Sequence, residues 1–262
     1  GDADASLILT EPGKKALIGD IDPKLTTSII DTQVPYHDLD IFGTASEKYP
    51  PVKVRPADPA LIVYTSGTTG KPKGAILTHK NLVQDARNII NIWRIRESDV
   101  LCHALPLFHV HGLCFALHTS LLAGAHVLLL DQFSPPKIIE MLSKKKEPYA
   151  CTMFMAVPGM YAKLLEYLGD NRPDFEHLRL WTSGSAPLLP KDYRRIHRIF
   201  GKEPVEREGM SETGMNFSNP LRGKRKPGSI GLPLPALAVR IVDPETGMDV
   251  APGQTGEIWL KG

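Results

Sequence analysis

Residues Ala60–Gly74 read ALIVYTSGTTGKPKG, an apolar run followed by a loop of small, hydroxylated and basic residues. The run Ala60–Tyr64 predicts a buried strand. In the loop, hydroxyl groups can donate to phosphate oxygens, glycines let backbone N–H groups approach an anion, and two lysines supply positive charge. The composition predicts a phosphate-binding loop, whose candidate binding residues are Thr65, Ser66, Gly67, Thr68, Thr69, Gly70 and Lys73.

The spacing of this loop excludes a Walker-type P-loop. A Walker loop places four residues between its first glycine and a Gly-Lys pair, and Ser or Thr follows the lysine. Here two residues separate Gly67 from Gly70, and Pro72 follows Lys71. A plain surface loop is also disfavoured, because this one follows a predicted strand and ends in paired lysines.

Short apolar runs alternate with helical periodicity along most of the chain. The predicted strands are Ala60–Tyr64, Val100–Leu105, His126–Leu130, Cys151–Ala156, Leu178–Thr182, Ala238–Val242 and Glu257–Leu260. The predicted helices are His79–Trp93 with Thr78 as N-cap, Gly112–Leu122, Pro135–Lys145 with Ser134 as N-cap, Pro158–Leu168 and Lys191–Phe200. This alternation predicts an α/β fold of mostly parallel sheets flanked by helices, with ligands at the carboxyl ends of strands.

Charge and composition exclude several classes of protein. The formal net charge is +2, which gives no reason to expect a nucleic-acid partner or a membrane surface. The apolar segment at residues 112–130 contains His118 and His126 and a Gly turn, so it predicts a buried helix and strand rather than a membrane span, and we expect a soluble chain. Three widely spaced cysteines predict buried free thiols rather than disulfides or a zinc site. The oligomeric state stays open.

The segment YTSGTTGKPKGAILTH at residues 64–79 resembles the signature phosphate loop of adenylate-forming enzymes, which include acyl-CoA synthetases, peptide-synthetase adenylation domains and luciferases. Five further segments resemble motifs of that family, in the family's order: PLFHVHG at 106–112, SGSAP at 183–187, GMSET at 209–213, GSIGLPLP at 228–235 and TGEIWLKG at 255–262. The resemblance implies an AMP-binding core at residues 59–262. Residues 1–58 are then a shortened N-terminal segment of the same large domain plus a linker.

The resemblance also implies an activity and a set of site residues. ATP and a carboxylic acid would form an acyl-adenylate, and CoA would then displace AMP. Residues 65–73 would hold the β- and γ-phosphates, Glu212 and Thr65 would hold Mg²⁺, and Ser211 or Thr213 would reach the α-phosphate. The adenine would lie on Gly184, Ser185 and Ala186. The candidate catalytic residues are Thr65, Lys73, His109 and Glu212.

The acid site carries more polar residues than a pocket for fatty acids would need. The combination of HVHG, SGSAPL, Arg207 and GMSETGM resembles malonyl-CoA synthetases, in which the matching arginine grips the far carboxylate of malonate. The candidate acid-binding residues are His109, His111, Arg207 and Met215. Other interpretations stay open: either histidine could be a core residue, and Arg207 could form a structural ion pair with Glu206, Glu208 or Glu212.

Two departures from the family pattern leave alternatives open. Glu208 stands where an aromatic residue usually stacks on adenine. The family's ribose-binding aspartate, hinge and small C-terminal domain have no counterpart within residues 1–262, so we expect a truncated core that is inactive alone. The alternatives are a ligase for a fatty or aromatic monocarboxylic acid and a non-catalytic nucleotide-binding domain. The expected compartment is the cytoplasm, or the mitochondrial matrix in a eukaryote.

Overall fold

The computed structural model describes residues 4–19, 26–31, 52–66, 70–145 and 149–262. The chain forms two compact units, Gly1–Arg55 and Pro56–Gly262. In the first unit, strand β1 (Leu7–Thr10) pairs in parallel with β2 (Thr26–Ile29), and a 3-10 turn at Pro12–Lys14 leads into helix α1 (Lys15–Gly19). All candidate site residues belong to the second unit.

The second unit is built around a seven-stranded sheet with the strand order β11-β10-β9-β8-β7-β5-β6. Its strands are β5 (Val100–His103), β6 (His126–Leu129), β7 (Met153–Ala156), β8 (Leu180–Ser183), β9 (Val205–Met210), β10 (Gly214–Ser218) and β11 (Leu232–Pro233). Strands β5, β6, β7, β8 and β9 are mutually parallel, and β10 and β11 add antiparallel strands at one edge. The predicted α/β fold with a mostly parallel sheet is confirmed.

Helices and two small antiparallel pairs complete this unit. The helices are α2 (His79–Trp93), a π-helix (His111–His118) continued by α3 (Thr119–Leu122), α4 (Pro135–Ser143), α5 (Pro158–Leu168) and α6 (Pro190–Phe200). The small pairs join β3 (Pro59–Thr65) to β4 (Lys73–Thr78) and β12 (Ala238–Val242) to β13 (Glu257–Lys261). No helix in the described ranges is both long and apolar enough to cross a membrane.

The strand before the phosphate loop is not the buried strand that the apolar run predicts. Strand β3 pairs with β4 alone, and Val63 is its buried residue. A two-stranded ladder leaves much of each strand in solvent, so that prediction is wrong. The loop at residues 66–72 therefore connects two antiparallel strands, rather than a parallel strand and a helix.

Two predicted helix caps have different outcomes. Thr78 caps α2 as predicted, because its Oγ1 accepts the Asn81 N–H at 3.2 Å while its own N–H donates to Asn81 Oδ1 at 3.0 Å. Ser134 occupies the N-cap position of α4, as predicted, but its side chain makes no capping hydrogen bond. The first two residues of α4 are prolines and have no N–H to donate.

The segment after β5 forms a wider helix than predicted. Residues 112–122 were expected to form one α-helix, but His111–His118 is π-helical and only Thr119–Leu122 is α-helical. Gly112 allows this path, because a Cβ at this position would lie 2.2 Å from the Pro106 carbonyl oxygen. The close approach of two backbone segments explains why glycine stands here.

The core lies between the sheet and its helices. Trp93, Phe154, Tyr161 and Leu164 are fully buried, and each such side chain contributes roughly 1.5–3 kcal/mol. The polar ends of two rings are satisfied: Tyr161 donates to the Thr182 carbonyl at 3.0 Å, and Trp93 Nε1 donates to Ser218 Oγ at 3.0 Å. The three cysteines are buried free thiols, as predicted.

Candidate functional site

The parallel strands bring several sequence motifs to one edge of the sheet. Strands β5, β7, β8 and β9 run in the same direction, so their carboxyl ends meet at that edge. The segments that follow β5, β8 and β9 are PLFHVHG, SGSAP and the turn Ser211–Thr213. A ligand site is expected at this edge of such a sheet.

The two ends of the phosphate loop lie side by side in the β3–β4 hairpin. Thr65 lies opposite Lys73 in the β3–β4 register, and Thr65 Oγ1 lies 3.5 Å from the Lys73 carbonyl oxygen. Ser66, Gly70 and Lys73 are exposed, and Gly70 has a φ of +80°. Three of the predicted phosphate-binding residues, Gly67, Thr68 and Thr69, lie outside the described residues.

The candidate metal-binding carboxylate lies at the tip of a hairpin that the sequence analysis did not predict. Met210 of β9 pairs with Gly214 of β10, which leaves Ser211, Glu212 and Thr213 as the connecting turn. Gly214 has a φ of +77°, a conformation that glycine adopts without strain. Glu212 is exposed at the turn.

Thr65, at the start of the phosphate loop, and this turn line a common cleft of about 1040 Å³. Thr65 lines it from one side, and Ser211 and Glu212 line it from another. His109, His111 and Ser185 also line it. The structure thus brings together residues that lie more than a hundred positions apart in the sequence.

Other predicted residues lie beside this cleft rather than in it. Ala186 and Arg207 line an adjoining pocket of about 350 Å³, which shares Ser185 and Gly209 with the cleft. Thr213 and Met215 line a smaller cavity of about 180 Å³ under α2. Met215 is buried and does not line the main cleft, so the structure does not place it among the residues that meet a substrate there.

The oxygen donors of the cleft suit a magnesium ion. Within the described ranges, no group of three or more His, Cys, Asp or Glu side chains could enclose a metal ion. Magnesium does not require such a cage, because it keeps several waters and binds through one or two carboxylates plus substrate phosphates. An exposed carboxylate at Glu212 and a hydroxyl at Thr65, both facing the cleft, fit that requirement.

His109 and His111 differ in burial. His109 is exposed, and its ring lies 4.5 Å from that of Phe108, centroid to centroid, so the core interpretation is wrong for His109. His111 is buried, and its Nδ1 lies 3.1 Å from Ser185 Oγ. Burial, together with the positive charges of Arg207, His103 and His109, lowers the pKa of His111 well below its ordinary value. His111 is therefore a neutral imidazole, and its Nε2 has no partner among the described residues.

Arg207 is buried, and it forms no ion pair with any carboxylate among the described residues. Its exposed fraction is 4%, and its Nε and Nη2 atoms have no hydrogen-bond partner in the part of the chain that the structure describes. The Cζ atom lies 5.1 Å from the centroid of the Phe115 ring, a cation–π distance. The interpretation of Arg207 as a partner in a structural ion pair with Glu206, Glu208 or Glu212 is therefore wrong.

Burial and nearby charges set the ionisation of Arg207. Burial lowers its pKa to about 10, against the opposing effect of the Asp85 and Glu208 carboxylates, so the guanidinium stays charged at neutral pH. A glycine is required beside it, because a Cβ at Gly184 would lie 2.5 Å from Arg207 Nε. An unpaired buried guanidinium that lines a pocket is suited to an anionic ligand.

Glu208 belongs to a polar cluster at the same pocket. Its Oε2 accepts from Asn216 Nδ2 at 3.1 Å, and the same amide donates to Thr213 Oγ1 at 2.9 Å. Glu208 lines the pocket together with Ser185 and Ala186. A carboxylate here offers acceptors in place of the stacking surface that an aromatic residue would supply.

Two residues of this region, Asp85 and Phe115, were not predicted from the sequence. Asp85 lies on the buried face of α2, in line with the buried residues Ala86, Ile89 and Trp93. A carboxylate within an apolar helical stripe is the signal that could have identified it. Phe115 could not have been singled out, since an aromatic residue in an apolar segment is ordinary core composition.

Comparisons with known proteins agree with these features. Residues 1–262 match the family described as AMP-binding enzyme. A mitochondrial malonate–CoA ligase of Mus musculus is 39% identical over 232 residues, which are 78% of this chain and 40% of that protein. The crystal structure of ATP-bound MatB from Rhodopseudomonas palustris matches with a TM-score of 0.91 at 37% identity, over 100% of this chain and 51% of that chain.

A second malonyl-CoA ligase structure is a ternary product complex with methylmalonyl-CoA and AMP bound. It matches with a TM-score of 0.80 at 34% identity, over 100% of this chain and 53% of that chain. The chain thus spans about half the length of these solved relatives, and less of the mouse protein. Since the family match extends along the whole sequence, the chain belongs to the AMP-binding enzyme family.

Proposed function

We propose that this chain carries the nucleotide- and acid-binding part of an AMP-forming acid–thiol ligase that activates malonate or another small dicarboxylic acid. The observation that carries the proposal is the common cleft, which Thr65 of the phosphate loop and Glu212 of the β9–β10 turn both line. Members of the family to which the chain belongs, such as the mouse relative, are malonate–CoA ligases by name.

The chemistry requires charge neutralisation and alignment rather than a protein nucleophile. A carboxylate oxygen of the acid attacks the α-phosphorus of ATP, and the bond to pyrophosphate breaks. The sulfur of CoA then attacks the acyl carbon, AMP leaves, and the thiol proton passes to solvent. Hydroxyl and N–H groups of residues 65–73 would donate to the β- and γ-phosphates, and Ser211 or Thr213 would reach the α-phosphate. A magnesium ion on Glu212 would neutralise phosphate charge.

The acid is assigned from the second pocket. Arg207 has donor atoms without partners, and a carboxylate can accept from such a guanidinium in a bidentate pair. His109 at the cleft would lie beside the reacting carboxylate. The neutral His111, held by Ser185, can offer a hydrogen bond to the acid from Nε2. A dicarboxylate could thus have its reacting end near His109 and its far end on Arg207.

The test compares acids and variants. Pyrophosphate release is measured with the full-length gene product on malonate, methylmalonate, acetate, benzoate and octanoate. We expect dicarboxylates to be preferred. Arg207→Met should lower kcat/KM for malonate by about 100-fold, because a buried charge-assisted pair is lost, with little effect on acetate.

The matched control is Arg87→Met, which removes an exposed guanidinium from α2. It should leave all five acids unaffected. An equal loss with Arg207→Met on every acid would contradict the assignment of Arg207 to the far carboxylate.

A second candidate is a ligase for a fatty or aromatic monocarboxylic acid. It is favoured by the apolar lining of the main cleft, which includes Leu107, Phe108, Phe133, Val157 and Met160. Preference for octanoate or benzoate in the same panel would establish it. Binding of Mg-ATP without turnover of any acid would instead favour a non-catalytic nucleotide-binding domain.

The compartment stays a prediction. The mouse relative is mitochondrial by name, which supports the mitochondrial matrix as one expected location for this protein if its source is a eukaryote. The cytoplasm is the other expected location. Microscopy of the tagged full-length gene product would distinguish them.

A further inference from the structure

Asp85 is a carboxylate that neither the family motifs nor the proposed chemistry uses. It lies on the buried side of α2, between Leu82 and Ile89 in the apolar stripe of that helix. Burying a carboxylate is costly unless it accepts hydrogen bonds or faces a positive charge. Asp85 accepts a hydrogen bond and also faces a positive charge, and these two partners belong to the β9–β10 hairpin.

The first partner of Asp85 is a backbone amide at the exit of the hairpin turn. Asp85 Oδ1 accepts the Met215 N–H at 3.0 Å. The adjacent Gly214 packs directly on the carboxylate, since a Cβ at Gly214 would lie 3.0 Å from Asp85 Oδ1 and Cγ. The Asp85 carboxylate therefore contacts two consecutive residues of β10, packing on Gly214 and accepting the N–H of Met215.

These two positions follow the turn Ser211–Thr213, whose middle residue is Glu212. Gly214 pairs with Met210, and Met215 pairs with Gly209. The two residues that contact Asp85 are therefore the ones whose pairing closes the turn. Asp85, Glu212 and Thr213 line the same small cavity of about 180 Å³. The position of the Glu212 carboxylate is thus tied to α2 through Asp85.

The second partner of Asp85 is the positive charge of Arg207 on β9. Arg207 is buried and has no ion pair among the described residues, and the charge of Asp85 favours its protonated form. A single carboxylate on α2 thereby interacts with both ends of the hairpin: with the strand that carries Arg207 and with the turn that carries Glu212.

We propose that Asp85 is a positioning residue of the nucleotide site, which fixes the Glu212 turn through its hydrogen bond to the Met215 N–H and its contact with Gly214. This assignment rests on the proposed function, in which Glu212 binds magnesium. Hydrogen-bonded supports behind metal ligands commonly change metal affinity by about 10- to 100-fold when they are removed.

The test is calorimetric titration of the chain with Mg-ATP and, separately, with ATP in the presence of EDTA. Asp85→Ala removes the acceptor and should weaken Mg-ATP binding by about 10-fold. Binding of ATP without magnesium should be unchanged, because Glu212 acts through the metal. A purely structural role for Asp85 would weaken both titrations alike.

Asp85→Asn provides the rescue, because its amide oxygen can still accept the Met215 N–H. It should bind Mg-ATP within about 2-fold of the wild type, since the acceptor is retained. Asp85→Ser, whose side chain is too short to reach the amide, replaces the alanine variant if that variant does not fold. Asp170→Ala, which removes an exposed carboxylate, is the matched control and should behave as wild type.

Three results would overturn the assignment of Asp85: wild-type affinity in Asp85→Ala, a loss in Asp85→Asn as large as in Asp85→Ala, or the same loss with and without magnesium. Failure of the proposed magnesium-dependent nucleotide site, on which this assignment rests, gives a different result. In that case the wild-type chain itself binds no Mg-ATP.

Discussion

Replacing Asp85 by Asn should change how the free energy of unfolding depends on pH. Burial raises the pKa of Asp85 from 3.8 to about 6, although the Met215 N–H and the charge of Arg207 act in the opposite direction. The other titratable groups that interact with it are Arg207, with a pKa of about 10, and Cys114, with a pKa of about 11. Neither titrates between pH 4 and pH 7, so Asp85 can be followed separately.

The sign follows from proton binding in the two states. Between pH 3.8 and about 6 the folded chain keeps the Asp85 proton and the unfolded chain loses it, so ionisation of Asp85 lowers stability as the pH rises. At about 1.4 kcal/mol per pH unit, the difference between the two pKa values corresponds to about 3 kcal/mol. The asparagine variant cannot ionise and does not lose this stability.

The measurement is the free energy of unfolding in urea for both proteins at pH 4, 5, 6 and 7. These values lie on both sides of the pKa of about 6 of the folded Asp85 carboxyl. The variant should gain about 2.4 kcal/mol relative to the wild type between pH 4 and pH 7, because the unfolded carboxyl is already partly ionised at pH 4, and most of the change should fall below pH 6. Asp170→Asn is the control and should show no such trend. A difference between wild type and Asp85→Asn that stays constant, or that changes in the opposite direction, would refute the reasoning.

Three further predictions concern packing and charge. Gly112→Ala places a Cβ 2.2 Å from the Pro106 carbonyl oxygen and should lower stability by about 2–3 kcal/mol in urea unfolding. Arg179→Met leaves the buried Asp99 carboxylate without its ion-pair partner and should cost about 3 kcal/mol or more in the same assay. The lowered pKa of His111 predicts a neutral ring at pH 7, and a nitrogen-15 NMR titration of this imidazole with a midpoint at or above the ordinary histidine pKa would contradict that prediction.

Two matched variants serve as controls for the stability measurements. Gly159→Ala adds a methyl group where no atom lies within 4 Å and should be tolerated, in contrast to Gly112→Ala. Lys137→Ala removes an exposed ion pair with Glu140 and should have a small effect, because surface pairs are weak. If the controls lost as much stability as the test variants, the explanations by close approach and by buried charge would be wrong.

The helices and parallel strands of the sheet could be predicted because their hydrophobic periods are strong. Helix α2 and strand β8 lie where their patterns indicate, although β8 begins two residues later and ends one residue later than predicted. The hairpin strands β9 and β10 could not be predicted, since their sequences, VEREGM and GMNFS, mix charged, polar and apolar residues without a clear alternation. Their pairing depends on contacts with β8 and α2, which are distant in sequence.

The candidate site was predicted mainly from motifs, and its geometry required the fold. The motif GMSET identified Glu212, but only the folded chain shows that Glu212 and Thr65 line one cleft. Arg207 could be identified from the sequence as a candidate, whereas its burial over the Phe115 ring could not. Asp85 was missed because it lies in no motif and acts through the backbone of another element.

The central claim is that the loop after β3 and the Glu212 turn bind ATP together through magnesium. A crystal structure of the chain with Mg²⁺ and a non-hydrolysable ATP analogue tests it most directly. We expect the β- and γ-phosphates along residues 65–73 and a metal ion about 2.0–2.1 Å from a Glu212 carboxylate oxygen. A nucleotide bound outside this cleft, or a phosphate-bound metal ion without Glu212 near it, would contradict the claim.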